Sequence, residues 1–351
     1  MAAEVHSSTA IKDWPLVKRW TTAVNTCNCP DVHHADTFTR WLVIARACVF
    51  SMTFMSGLIG VLLAVLQGGF DDRPLFRLWL GALSVIGLVA AHATNNLVND
   101  WTDVRKGVDT EDYPRSQYST HPVLGGLTTP NRLLAVALGL TLFDALIMLY
   151  LAWVSGPAVI AFAVSGLVLS LGYTIFLKRY ALGEITALAV WGPLMTGGTV
   201  YAISDEITRD TLLLTLPYGL IVASVLIGKH TDKIEYDRPV GVHSIPVLLG
   251  RDASLALNKV AFVGFYVLIA ALVLAGVAGA WVLLTVLALP RLVTAWKVYS
   301  QPKPTKRPDD WPVWPLWYVG WAMFFNRRAG ELFILGLILN LVVPEIAGAL
   351  G

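Results

Sequence analysis

Nine stretches of mostly apolar residues, each about 20 long, dominate the chain. They lie near 42–67, 75–98, 132–153, 157–176, 183–203, 211–228, 255–276, 279–298 and 330–349. A helix rises about 1.5 Å per residue, so such a run is long enough to cross about 30 Å of hydrocarbon. Inside a bilayer every backbone N–H and C=O must find its partner within the spanning structure, which leaves helices or a closed barrel. The runs are continuous and lack alternation with period two, so they predict helices. Hydrophobic residues make up 56% of the chain and charged ones 14%. Soluble domains carry about 25% charged residues, and disordered chains are poor in the apolar types abundant here. The expected fold is all-α: an integral membrane bundle of nine transmembrane helices over residues 42–350. A polar tail, 1–41, precedes it and lacks the apolar core of a secretory signal. A formal charge of +2 provides no basic face for nucleic acid, which is not an expected partner. Three cysteines, Cys27, Cys29 and Cys48, are too few for a disulfide framework, so the fold is not expected to depend on oxidation.

Lysines and arginines set the orientation. Twenty fall in the tail and the even-numbered connections, among them Arg105, Lys106, Arg115, Lys178, Lys229, Lys233, Arg238, Arg327 and Arg328. Three, Arg73, Arg77 and Arg209, fall on the other side. This predicts a multi-pass protein with a cytoplasmic N-terminus and an outer C-terminus. Residues 8–24 place Ile11, Trp14, Val17 and Trp20 at helical spacing, as in a short interfacial helix. The proline- and tryptophan-rich stretch 301–325 reads as chain at headgroup level.

Acidic residues gather in two places, NNLVNDWTDVRKGVDTEDYPRSQY after the second run and GKHTDKIEYDRPVGVHSIPVLLG after the sixth. An even number of crossings separates them, so both belong to one membrane face, in the pattern of a parallel internal duplication with both clusters facing one cavity. In the first cluster Asn95, Asn99 and Asp103 follow at i, i+4, i+8, and Asn96 pairs with Asp100. Mg²⁺ prefers oxygen ligands, typically one or two carboxylates completed by substrate phosphate and water. A diphosphate also needs cations, and Arg105, Lys106, Arg115 and Lys178 are available on this face.

The pattern Asn99-Asp100-x-x-Asp103-x-x-x-Gly107-x-Asp109 resembles the first aspartate-rich motif of the UbiA superfamily of intramembrane prenyltransferases. It is closest to the branch that prenylates dihydroxynaphthoate in menaquinone synthesis. Asp237-Arg238-x-x-Gly241 followed by PVLLG at 246–250 resembles the end of the second motif. Leu182-Gly183-Glu184, Gly192-Pro193 and the pair Tyr173 and Lys178 also resemble that branch. The family usually reads Asn-x-x-x-Asp-x-x-x-Asp in the second motif, whereas here Lys229 and Lys233 stand eight and four residues before Asp237. Asp232 and Glu235 lie on a different stripe of the helix and are the alternative oxygen donors there. The resemblance implies Mg²⁺ as cofactor, held by Asn99, Asp100, Asp103 and Asp109 with Asp232, Glu235 or Asp237. It also implies a polyprenyl diphosphate gripped by Asn96, Arg105, Lys106, Arg115, Tyr173, Lys178, Lys229, Lys233 and Arg238. Asp103, Lys178 and Asp237 then stand at the chemistry: ionisation of an allylic diphosphate and attack on the cation by an electron-rich ring carbon of an aromatic acceptor.

Two other functions compete. Intramolecular ring closure after the same ionisation would make the protein a terpene cyclase. A transporter or lipid-binding protein would spread polar residues through the midplane of the spans, and these are scarce. Among lesser signals, Asp144 lies mid-span as either a base or a hydrogen-bonded packing residue. Cys27 and Cys29 with His33 and His34 have an atypical spacing for a soft-metal site. His121 and His230 flank the acidic clusters, and Tyr118 and Tyr236 offer ring faces to a cation. Lys259 and Arg291 read as snorkelling residues near span ends.

Overall fold

The computed structural model describes residues 11–175, 180–309 and 311–350, with backbone alone for 12, 173–175 and 344–350. Among the described residues the structure is helical, without a strand. Two short helices, α1 (Leu16–Thr26) and α2 (Thr37–Ile44), precede the bundle. The bundle runs through α3 (Phe50–Leu66), α4 (Pro74–Arg105), a single turn α5 (Pro114–Tyr118), α6 (Pro130–Ser155) and α7 (Ala158–Ile175). It continues through α8 (Gly183–Ala189), α9 (Met195–Ser204), α10 (Arg209–Asp232), α11 (Ile234–Asp237), α12 (Ile245–Leu249) and α13 (Arg251–Leu274). A 3-10 segment (Ala280–Ala288) leads into α14 (Leu289–Val298), and α15 (Tyr318–Leu350) ends the chain. Among the described residues six segments are long and apolar enough to cross a membrane: Ala47–Leu66, α4, α6, α10, α13 and Ala280–Val298.

The run at 183–203 is helical but broken. Pro193 has no N–H to donate and its ring crowds the preceding turn, so the chain passes through a wide π-type turn at Val190–Leu194, with Gly192 at φ −87°, ψ −105°. At this bend the carbonyl of Trp191 accepts the hydroxyls of Ser56 (2.8 Å) and Thr196 (3.2 Å). Helix α10 packs onto this bend through Gly219, where a Cβ would stand 2.8 Å from the carbonyl oxygen of Leu188. It is the most enclosed of the six spans, buried over 72% of its apolar window, and forms the axis of the bundle.

The last helix begins at Tyr318, well before the apolar run at 330–349. Arg327 and Arg328, counted above with an inner connection, therefore lie inside a helix of 33 residues. Arg327 donates to the carbonyl of Cys48 (3.2 Å), and Arg328 pairs with Glu331 (3.4 Å). Arg291, also within a span, donates to the carbonyl of Phe324 (3.0 Å) and lies over its ring.

The tail is docked on the bundle. Ile11, Ala23, Cys29, Val32, Ala35 and Val43 form a small apolar cluster, Asp36 caps α2 through the N–H of Thr39, and Ser119 donates to the carbonyl of Cys27 (2.6 Å). A disulfide joins Cys27 to Cys48, so the expectation of a fold independent of oxidation is corrected. Two cysteines suffice because the folded tail brings them together. Cys29 is a buried free thiol and His34 pairs with Asp31 (2.6 Å), so among the described residues of the tail no soft-metal site is assembled.

Candidate active site

Helix α4 ends at one wall of the site. Gly107, at φ +70°, turns the chain back, and the carbonyl of Asp103 accepts the N–H groups of Val108 (2.8 Å) and Asp109 (3.2 Å). This left-handed turn is the usual use of glycine just past a helix C-terminus, and here it folds Asp109 back beside Asp100. Asp100 is fully buried. Its carboxylate accepts Arg115 Nε (3.3 Å) and Nη2 (3.1 Å) and is also paired with Arg46. A ligating atom each from Asp100, Asp109 and His121 falls within 4.8 Å of the others, but Asp100 is occupied by two guanidiniums. Asp100, expected as a metal ligand, is thus paired here with two guanidiniums, and Arg115, expected on phosphate, is one of them. Arg46, hidden inside an apolar run, gave no sequence signal.

His121 is the other half of this wall. Its Nδ1 accepts the backbone N–H groups of Val123 and Leu124, both at 3.2 Å, so Nε2 carries the hydrogen and donates to Asp109 (3.1 Å). Burial pushes the imidazole pKa below its usual value despite the neighbouring carboxylate. Burial pushes Asp109 the other way, but the His121 hydrogen bond and the charges of Arg46, His121 and Lys233 outweigh it and hold the carboxyl below its usual range. Asp103 is buried as well. Asn96 spends its Nδ2 on the carbonyl of Ala45 (2.9 Å). Arg105 and Lys106 are exposed, and Arg105 lies over the Trp101 ring, 4.7 Å from its centroid.

The opposite wall is the end of α10. Asp237 is fully buried; its Oδ1 accepts the hydroxyl of Tyr113 (2.6 Å) and lies 3.4 Å from Lys233 Nζ. Burial, aided by the Asp237 charge, raises the Tyr113 phenol well above its ordinary pKa, so it remains a donor. Lys233 Nζ also sits 4.5 Å from the centroid of the Tyr113 ring. Tyr113 thus ties the first cluster to the second across 124 residues of sequence, a role that nothing in the linear pattern announces. The other expected oxygen donors point elsewhere. Asp232 accepts the N–H groups of Trp317 (2.9 Å) and Val319 (3.0 Å), which satisfies donors at the start of α15. Glu235 is exposed and paired with Arg251. Arg238 is exposed and reaches the carbonyl of Val247 (3.4 Å). His230 is buried against Glu184 (2.6 Å), and Glu184 also accepts the N–H of Ile245 (3.3 Å), so this pair fastens α8 and α12 to α10. Lys178 and the side chain of Tyr173 lie outside the described residues.

Between the walls opens a cavity of about 950 Å³, at the upper end of the usual range for ligand sites. Arg46, Asn96, Asn99, Tyr118 and Lys229 line it together with apolar residues such as Met52, Val222 and Leu226. A smaller cavity of about 130 Å³ lies behind it, among α4, α6, α7 and α9. The two share His92, Asn95, Ser170, Val190 and Trp191. Thr53 accepts Trp191 Nε1–H (3.1 Å) and bonds His92 Nδ1 (2.7 Å), fixing the two rings at this junction. Asp144 lines the smaller cavity. The chemistry such a space admits is that of an anionic headgroup at the polar end and a hydrocarbon tail in the apolar part.

The match to known proteins has the same shape. The profile of the UbiA prenyltransferase family covers residues 53–327. The 1,4-dihydroxy-2-naphthoate octaprenyltransferase of Bacillus subtilis is 22% identical over 267 residues, 74% of this chain and 81% of that protein. Its Escherichia coli counterpart is 27% identical over 265 residues, 72% and 82% of the two chains. UbiA prenyltransferase domain-containing protein 1 of Homo sapiens is 27% identical over 240 residues, 65% and 66%. A UbiA homologue from Archaeoglobus fulgidus, solved bound to GPP and Mg²⁺, superposes with a TM-score of 0.54 at 13% identity, covering 84% of this chain and 99% of that one. With the matching profile spanning both acidic clusters and the cavity between them, the chain belongs to the UbiA prenyltransferase family.

Proposed function

We propose that the protein transfers a polyprenyl group from an isoprenyl diphosphate to an aromatic acceptor of the quinone-precursor kind, with Mg²⁺. The observation that carries this reading is one apolar cavity of about 950 Å³ whose polar end takes Asn96 and Asn99 from the first cluster and Lys229 from the second, the two clusters being joined behind it by the Tyr113–Asp237 bond of 2.6 Å. The relatives named as naphthoate octaprenyltransferases and the fold neighbour bound to GPP and Mg²⁺ support the same reading.

The oxygen-rich set at the end of α4 suits a hard cation. Asn99, which lines the cavity, and Asp103, one turn on and buried, are the residues assigned to it, with Asp109 behind them. Bound there, Mg²⁺ supplies charge neutralisation of the leaving pyrophosphate. Lys229 and Arg46 face the cavity and meet remaining negative charge on the phosphate oxygens as it grows in the transition state. The allylic carbon–oxygen bond breaks with its electron pair leaving on the pyrophosphate. A ring carbon of the acceptor then attacks the allylic cation, and the ring proton is lost. Trp191, Trp321 and Phe324 line the cavity, giving flat apolar surface for an aromatic ring and keeping water from the cation. The smaller cavity behind His92 and Trp191 receives part of the tail. In this reading all nine apolar helices cross the membrane, and the polar mouth and the tail face the cytoplasm.

The test is turnover by the full chain in lipid nanodiscs, given polyprenyl diphosphates of several lengths, Mg²⁺ and aromatic hydroxy acids. The reading predicts pyrophosphate and prenylated arene in equal amounts, with no pyrophosphate when the acceptor is omitted. Acceptor-independent release with a cyclised hydrocarbon would replace transfer by cyclisation, and no release at any chain length would refute both.

A further inference from the structure

The second cluster sits where the family pattern puts oxygen donors, and each of its carboxylates has a protein partner, although Asp232 Oδ1 and Asp237 Oδ2 are buried without a hydrogen bond among the described residues. Asp232 is buried and holds two backbone N–H groups at the head of α15, with Lys303 Nζ at 3.8 Å. Glu235 is exposed and salt-bridged to Arg251. Asp237 lies between the Tyr113 hydroxyl and the Lys233 ammonium, 3.4 Å away. None of the three lines the large cavity and neither does Lys233, whereas Lys229 does. Lys229 stands in the last turn of α10 and Lys233 is the residue that caps it, and the ring of Tyr113 steadies Lys233. Facing them, the first wall lines the cavity with Asn96 and Asn99.

We propose that the second cluster holds no divalent cation, and that the ammonium group of Lys229, with the charge of Lys233 behind it, neutralises the diphosphate there, leaving one divalent ion on the first wall. The inference rests on the diphosphate reading above. A divalent ion on the free oxygen of Asp237, buried and without a hydrogen-bond partner among the described residues, would stand close to the Lys233 ammonium. Like charges so near each other in a buried site repel strongly. One divalent ion with two ammonium groups carries the same formal charge as two divalent ions, so the leaving group loses no neutralisation. Lysine suits the task because its ammonium has three donors and no acceptor, and serves phosphate as a point charge.

The experiment uses the full chain in nanodiscs with a farnesyl thiolodiphosphate, which binds without ionising readily, and Mn²⁺ in place of Mg²⁺. Analogue binding is measured by equilibrium dialysis, and Mn²⁺ is counted by equilibrium binding and electron paramagnetic resonance. One Mn²⁺ per chain with the spectrum of an isolated ion is expected. Lys229→Ala should weaken analogue binding at least about tenfold, as loss of a charged hydrogen bond does, with the Mn²⁺ count unchanged. Two Mn²⁺ per chain with a spin-coupled spectrum, or unchanged analogue affinity in Lys229→Ala, overturns the inference while the diphosphate reading stands. Failure of the wild-type protein to bind the analogue at any Mn²⁺ concentration refutes that reading, and this inference with it.

Discussion

Replacing Asp100 by asparagine separates an anchor from a metal ligand. The carboxylate is fully buried between Arg46 and Arg115, whose side chains are 9% and 4% exposed. At about 4 Å and an effective dielectric of 20, each guanidinium–carboxylate attraction is worth about 4 kcal/mol. Repulsion between the guanidiniums and the cost of burying all three charges offset much of that. Removing one member of a buried pair costs about 3–5 kcal/mol, because a charge is left behind uncompensated. Asp100→Asn should therefore lose about 3–5 kcal/mol of stability, followed by tryptophan fluorescence during unfolding in mixed micelles. Adding Arg115→Met should recover part of the loss, since the stranded charge goes with it. A variant as stable as the wild type but with greatly weakened Mn²⁺ binding would refute the anchor and restore Asp100 as a ligand.

Three further outcomes follow from the geometry. Tyr113→Phe strips a hydrogen bond from a buried carboxylate and should cost about 1–3 kcal/mol, with weaker binding of the thiolodiphosphate analogue; equal stability and affinity would separate the two walls. The folded-state pKa values of His121 and Asp109 both lie below their ordinary values. The unfolded chain therefore binds more protons than the folded one in each window, and stability is lost as pH falls, first below about 6.5 through His121 and then below about 4 through Asp109. A melting temperature that rises from pH 7 to pH 5.5, or a slope there unaltered in His121→Gln, would contradict this. The Cys27–Cys48 bond closes a loop with a separation of 21 residues, for which chain entropy gives about 3 kcal/mol, so reductant or Cys48→Ser should lower the melting temperature. No shift under conditions where mass spectrometry shows full reduction would contradict that.

The helices were readable because apolar length is a local property of sequence. Among the described residues the apolar runs are mainly helical, apart from a turn at Ala45–Arg46 within the first run, and the break at 183–203 had its marker in Gly192-Pro193. Boundaries set by polar residues were less readable: α15 starts at Tyr318 because polar and aromatic residues can continue a helix that an apolar window ends. Moving Arg327 and Arg328 into that helix still leaves the positive excess on the same side. The first cluster was legible as a motif but not in its division of labour. The i, i+4 spacing of Asn99 and Asp103 is visible in the sequence, whereas the pairing of Asp100 depends on Arg46, 54 residues away. The second cluster shows the limit more sharply. Acids adjacent in sequence diverge to α15, to Arg251 and to Tyr113, because a helix end distributes its side chains around the compass and tertiary partners claim them one by one. The signal that set this cluster apart in the sequence was the pair of lysines standing at the asparagine and first aspartate positions of the family pattern.

The most direct test of the shared site is a cryo-electron microscopy structure of the full chain in nanodiscs with Mg²⁺ and farnesyl thiolodiphosphate. The account predicts diphosphate density between Asn99 and Lys229, with the hydrocarbon leading toward His92 and Trp191. Density for the headgroup anywhere else, with the space between those two side chains holding only solvent, would contradict it.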